Sequence, residues 1–185
     1  AELEQLQVQG CFVSADLIAN VIPQCFDRLS VLDFTDFRSG KADDVLTALG
    51  NHGCPTLVVL RLGQTAGYNE TLSEQGVANC FGKGACPNLQ ELVLARCREV
   101  SDACLELITK ACHSLDVLDV SYCNYVTRVG IGHVAAHCHQ MRELRLAFCR
   151  VVGDIQSVAQ GLPSLQILDM HECTYISDSA LLAIV

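Results

Sequence analysis

Twelve cysteines and six histidines carry most of the reactive chemistry in this 185-residue chain. The cysteines recur: Cys86, Cys112 and Cys138 fall 26 residues apart, as do Cys97, Cys123 and Cys149, with Cys173 a further 24 on. Thiols in register suggest a zinc site, a disulfide framework, a nucleophile, or equivalent corners of a repeat. Each makes its own demand. Zinc needs converging nitrogen and sulfur donors, usually announced by paired cysteines, and no C-x-x-C occurs. His133, His137 and Cys138 sketch a ligand set, since i and i+4 share a helical face, but no Glu follows His133 as in H-E-x-x-H. His137 fits better as a basic residue at a helix C-terminus, and His113 and His139 occupy the loop slot held by Pro55 and Pro87. A disulfide scaffold suits short secreted chains without a core, and half of this chain is hydrophobic.

Catalytic signatures are equally thin. Gly82-Lys83-Gly84 resembles a phosphate loop only superficially, because the first glycine of that loop would fall at Val77 and Gly84 follows the lysine instead of Ser or Thr. No G-x-S-x-G occurs, and nothing singles out one Cys–His pair among twelve thiols. The expectation is a non-enzyme with no cofactor and no metal; a metal- or thiol-dependent enzyme is the remote alternative. Asn69-Glu70-Thr71 fits a glycosylation sequon but reads more simply as a loop with a capping box, Thr71-x-x-Glu74. A net charge of −9 and a pI near 5.0 disfavour binding to nucleic-acid phosphates. The longest apolar run, Ala180 to Val185, is far shorter than the roughly 20 residues of a membrane span, so no membrane is expected either. No secretion signal is visible, and so many unpaired thiols point to an intracellular protein, cytoplasmic with nuclear or cytoskeletal and ciliary locations open.

What must position these thiols is a repeat. The frame L-x-x-L-x-L-x-x-C runs through Leu89, Leu92, Leu94 and Cys97, then Leu115 to Cys123, Met141 to Cys149 and Leu165 to Cys173. Upstream it fits Leu3 to Cys11, Leu29 to Phe37 and Leu57 to Thr65, so that copies start near 3, 29, 57, 89, 115, 141 and 165. Each copy reads as a short strand with period-two alternation, a turn, and a helix opening on a hydroxyl: Ser101, Thr127, Ser177. In the helix after Ser101, Cys104, Leu105, Ile108 and Cys112 form one apolar stripe. A unit this small buries its core only by stacking on its neighbours, and right-handed crossovers then put all strands on one side and all helices on the other. The fold class expected is α/β: a right-handed solenoid of about seven repeats, one domain over 1–185, with a concave parallel sheet and convex helices.

"CPNLQELVLARCREVSDACL" and "LPSLQILDMHECTYISDSAL" resemble, nearly position for position, the cysteine-containing class of leucine-rich repeats, with Leu162 in one Cys slot. Cys11, Cys97, Cys123, Cys149 and Cys173 then end strands, Cys54, Cys86, Cys112 and Cys138 end helices, and Cys25 does so one residue out of register. Cys suits such corners because it is small, apolar and a weak hydrogen-bond donor. Phe37, Thr65 and Leu162 at the same slots preserve no ligand but could fill a corner.

What remains is a recognition surface. Between the buried leucines of each strand stand residues that face the concavity, among them Arg61, Glu91, Asp119, Glu143, Arg145, Asp169 and His171, with Arg96, Tyr122 and Phe148 just beyond the strands. Tyr122 and Phe148 fall at equivalent places in consecutive repeats and resemble aromatic interface anchors, with Arg96 and Arg145 nearby. Small residues at Gly63, Ala95, Ser121 and Ala147 leave room for side chains of a protein partner. The expected partner site is the C-terminal half of this face. The third unit is longer than the others over 63–85, and its glycine-rich ends imply flexible connections. No polar cap closes either end of the repeats, so the chain is expected to be part of a longer protein.

The resemblance implies a non-catalytic interaction scaffold. Proteins with this repeat are often F-box proteins, whose solenoid holds substrates for a cullin-type ubiquitin ligase through an adaptor-binding region that would lie outside these residues. Others serve as structural adaptors in large assemblies such as the regulatory complexes of ciliary and flagellar axonemes.

Overall fold

The computed structural model describes residues 2–38, 40–66, 72–150, 156–173, 178 and 182. Seven three-residue strands, β1 (Gln5–Gln7), β2 (Val31–Asp33), β3 (Val59–Arg61), β4 (Glu91–Val93), β5 (Val117–Asp119), β6 (Glu143–Arg145) and β7 (Ile167–Asp169), pair in chain order in one parallel sheet. Each begins two residues after a repeat start read from the sequence. The register is fixed by the central leucine: Leu6, Leu32, Leu60, Leu92, Leu118, Leu144 and Leu168 stand in line across the sheet. From Leu32 to Leu144 these side chains are completely buried, each contributing about 2 kcal/mol of hydrophobic stabilisation. Their strand neighbours point to the opposite face, where none of the described helices lies. The architecture is the leucine-rich-repeat solenoid expected.

The crossovers carry helices α1 (Ala42–His52), α2 (Glu74–Phe81), α3 (Asp102–Ala111), α4 (Arg128–His137) and α5 (Gln156–Gly161). In the first unit a wide turn at Leu17–Val21 passes into a 3-10 turn at Ile22–Cys25. Pro23 lacks the amide a regular helix needs there. Two helix starts correct the sequence expectation. Ser101 does not cap its own helix; its hydroxyl donates to Glu74 Oε1 across the repeat boundary. At α2 the cap is Ser73, whose Oγ accepts from the Gly76 amide at 3.2 Å, and Glu74 opens the helix; Thr71 of the expected capping box lies outside the described residues, as do Asn69, Glu70 and Ser177. Thr127 caps α4 as expected, accepting from the Val129 amide.

Asp43 and Asp102 fasten helix to helix. Asp43 accepts from the Ser73 amide and hydroxyl at 2.8 and 2.6 Å, while Asp102 accepts from the Thr127 amide and hydroxyl at 2.8 and 2.6 Å and the Gly130 amide at 2.9 Å. Both carboxylates thereby sit where amides at the next helix's N-terminus need acceptors.

The thiols form a second inter-repeat ladder. Cys97, Cys123, Cys149 and Cys173 donate from Sγ to the carbonyls of Leu62, Leu94, Val120 and Leu146, each one repeat back, at 3.8, 3.3, 3.0 and 3.0 Å. On the helical side Cys54, Cys112 and Cys138 reach the carbonyls of Phe26, Cys86 and Cys112. Burial pushes the thiols of Cys54, Cys138 and Cys149 up to about 12 and also raises those of Cys97, Cys112 and Cys123 well above the ordinary thiol value. At neutral pH they are protonated donors. Cys11 departs from the pattern and is exposed. Among the substitutes, Phe37 and Leu162 are buried in their corners, whereas Thr65 is exposed and bonds to Asp36. Gly63 is no flexible connection either. It packs beneath β4's exit, where an added Cβ would lie 3.1 Å from the backbone of Ala95.

Candidate protein-interaction surface

The open face inherits its columns from the strand register. Val59, Glu91, Val117 and Glu143 align in one, and Asp33, Arg61, Val93, Asp119, Arg145 and Asp169 in the next. Across β1 to β4 the polar residues satisfy one another. Arg61 Nε donates to Glu91 Oε1 at 2.7 Å and Nη1 to Asp33 Oδ2 at 3.2 Å, while Gln9 Nε2 donates to that same oxygen at 2.6 Å. Asp33 is fully buried. Burial alone would raise its pKa, but hydrogen bonds from Thr35, Gln9 and Arg61 outweigh it and hold the carboxyl below its ordinary value. The Arg61 guanidinium is in turn driven up, mainly by its bond to Glu91.

Farther along, Arg145 pairs with Glu143 at 2.5 Å and more distantly with Asp119 at 3.9 Å. Asp33, Asp119 and Asp169 all accept the amide two residues on, at 2.9, 2.9 and 3.0 Å, which turns the chain at the strand exit.

Past that turn six of the seven repeats, the third excepted, have one residue in a left-handed backbone conformation. At Asp36, Arg96, Tyr122, Phe148 and Glu172 this residue holds φ between 54 and 63°, and Gly10 occupies the same slot in the first repeat at 66°. A left-handed conformation costs a non-glycine residue about 1 kcal/mol, so the sequence keeps these side chains at a conformational cost that glycine would avoid. Amide bonds to the next repeat fix the slot: Arg96 to Ser121 at 2.8 Å, Tyr122 to Ala147 at 2.7 Å and Phe148 to His171 at 2.8 Å.

Four side chains then stack across the repeats. The Arg96 guanidinium carbon lies 3.6 Å from the Tyr122 ring centroid. Tyr122 and Phe148 are stacked at 4.3 Å with 10° between their planes, and His171 meets Phe148 edge-on at 5.6 Å. Each contact is worth about 1 kcal/mol, and together they give a prearranged apolar edge topped by a cation.

Sequence and structure thus agree on which face and slots these residues occupy. Two pairings could not be read in advance. Arg145 pairs with Glu143 and Asp119 and, among the described residues, meets no ring, and Arg61 is bound into the buried Asp33 network. Asp33 belongs to the column expected to face the concavity but is fully buried; the recurring Asp-x-Thr, Asp-x-Ser and Asp-x-His mark such carboxylates at strand exits. Among the described residues no three His, Cys, Asp or Glu side chains converge as a metal ion requires. Cys138 faces the core while His137 Nδ1 lies 2.9 Å from the His133 carbonyl of its own helix. No described helix is long and apolar enough to cross a membrane. The arrangement offers ion pairs, ring edges and small floor residues: the means of recognition.

The chain matches no protein-family model and no curated protein sequence. Solved structures do resemble it. The structure of the Rad7 and Elc1 complex from yeast includes a chain similar to 91% of this one, with a TM-score of 0.73 and 22% identity. The match spans 42% of that chain. The tropomodulin C-terminal domain of Caenorhabditis elegans gives a TM-score of 0.59 at 13% identity, covering 78% of this chain and 89% of its own. Actin-binding site 2 of leiomodin-1 gives 0.59 at 14%, covering 79% and 87%. These likenesses place the chain among leucine-rich-repeat-type folds; at such identities they speak to the fold alone.

Proposed function

We propose that this chain is a non-catalytic recognition module whose open face, from β4 to β7, holds a protein partner, and that it serves as the substrate-binding part of an F-box-type ubiquitin ligase. The carrying observation is the stacked ladder of Arg96, Tyr122, Phe148 and His171, four side chains kept at the strand exits, three of them within a left-handed backbone slot that glycine would fill without cost. The cysteine-type repeat supports the ligase reading by resemblance, as does the likeness to a chain solved in complex with Elc1. Protonated, unpaired thiols fit a reducing intracellular compartment.

A structural adaptor is the second reading, favoured by the likeness to a domain described as an actin-binding site. Affinity purification of the full-length protein at stringent salt, followed by mass spectrometry, separates the two. Ligase adaptor subunits with substoichiometric clients support the substrate receptor. Equimolar cytoskeletal or axonemal subunits without ligase components overturn it in favour of the adaptor.

A further inference from the structure

The three guanidinium groups on the open face are not equivalent. Arg61 is held between Asp33 and Glu91, and Arg145 between Asp119 and Glu143. Arg96 lies over the Tyr122 ring instead, and among the described residues no carboxylate pairs with it. Stacking on a ring occupies only the face of a guanidinium. Its five N–H donors lie in the plane, directed past the ring edge, and suit a planar bidentate acceptor. The group is also prearranged. The Arg96 backbone is fixed at φ 62° by its bond to Ser121, and Phe148 supports Tyr122 from behind.

We propose that Arg96 is the docking point for one carboxylate of the partner, an Asp or Glu side chain in an extended segment that lies along the ring ladder. This rests on the reading of the open face as a partner site. Carboxylate and phosphate both fit a guanidinium fork, and the surrounding charge decides between them. Asp33, Asp36, Glu91, Asp119, Glu143, Asp169 and Glu172 share this face with the three arginines, on a chain of net charge −9. A phosphate brings about two negative charges into that field and a carboxylate one, so the carboxylate is the better guest. The same field disfavours a second acid, so the acid stands alone in a neutral or basic segment.

Spacing adds the neighbour. Strands lie about 4.8 Å apart, and alternate side chains of an extended segment are about 6.7 Å apart on one side. With the acid on Arg96, the side chain two residues away falls over the Tyr122 and Phe148 edges. It is therefore apolar. Phe148, 39% exposed, is open to receive it.

The test is a displayed library of random short peptides, selected on the full chain, with affinities then measured for wild type, R96Q, R96K and F148A. Melting curves establish that each variant is folded, and R96K, which keeps length and charge but neither fork nor stack, serves should R96Q melt early. We expect enriched peptides to share an Asp or Glu two positions from an apolar residue and to lose roughly tenfold in affinity on R96Q, with a smaller loss on R96K. Changing the peptide acid to its amide should cost wild type the same factor and R96Q almost nothing. A phosphoserine in its place should bind wild type more weakly. Peptides that lose affinity on F148A yet carry no acid, or whose acid matters equally to wild type and R96Q, overturn the carboxylate inference and leave the open face as a partner site. Peptides indifferent to both R96Q and F148A, or no enrichment at all, count against the open-face reading and against this one with it.

Discussion

The front of the open face, β1 to β3 with Glu91, and its back, β4 to β7, share one backbone and use it differently. At the front, polar groups close on one another: Gln9, Asp33, Arg61 and Glu91 form a network around a buried carboxylate, and Asp36 accepts from the Thr65 amide at 2.8 Å. At the back, equivalent slots hold Arg96, Tyr122 and Phe148, whose contacts leave ring edges and a guanidinium open to solvent. Beneath both, the leucine ladder is the same, whereas the strand-end thiol ladder begins only at Cys97. Repetition therefore fixes the interior, while the exposed slots decide what the surface does: the front holds the solenoid together, and the back is available to another molecule.

The thiols bear on whether the two halves share one interior, and carry the largest expected effect. A buried thiol near 12 keeps its proton when the unfolded chain loses it near 9, so the folded state binds more protons between those values and stability falls as pH rises. At pH 10 Cys54, Cys138 and Cys149 together remove about 4 kcal/mol relative to pH 7, at roughly 1.4 kcal/mol each. Urea titrations at both pH values measure it. C138A/C149A should remove two shares of the alkaline loss and C54A one; equal slopes in all three proteins would break the common-interior reading.

Packing on the helical side separates the halves next. A Cβ on Gly50 in α1 would meet the Asn79 carbonyl oxygen at 1.9 Å, whereas Gly132 in α4 has nothing within 4 Å. G50A should cost about 3 kcal/mol and G132A should gain up to about 1 kcal/mol, both read from thermal or urea unfolding.

The arginines sharpen the comparison further. R61A strips a guanidinium from buried Asp33 and should destabilise by about 2 kcal/mol. R145A opens a half-exposed pair that leaves no fully buried carboxylate behind and should cost less, about 1 kcal/mol. Similar losses for the two would erase the distinction between a structural front and an available back. The last comparison is one of binding: R145E with F148A should weaken a partner isolated with the full-length protein about tenfold, equivalent to 1.4 kcal/mol, whereas D36A should change its affinity little. A calorimetric titration with that partner decides, and full affinity in the double variant would remove the back of the face as the site.

Much of this was legible in the residue order, for a specific reason. A repeat that buries Leu92 must bury Leu118 and Leu144 at the same depth, so one frame read seven times gives strands, faces and columns together. The thiols were legible for the same reason, although Thr65 and Cys11 depart from the corner rule. Helix caps were less so. Ser101 looked like a cap by sequence, but its hydroxyl went to Glu74, because a donor at a repeat boundary chooses among acceptors that only stacking brings near.

By itself the sequence determined the solenoid, its register and the slots along its open face, because these follow from the period of apolar residues and from what a short strand and helix must bury. Only the tertiary structure decided which side chains across repeats meet. Arg61, Arg96 and Arg145 look alike in the sequence, yet one is held by a fully buried carboxylate, one lies over a tyrosine ring and one bridges two partly buried acids. Apart from Glu143, on the same strand as Arg145, those partners lie 26 to 30 residues away along the chain, and their distances come from strand stacking and left-handed backbone slots that no local pattern encodes.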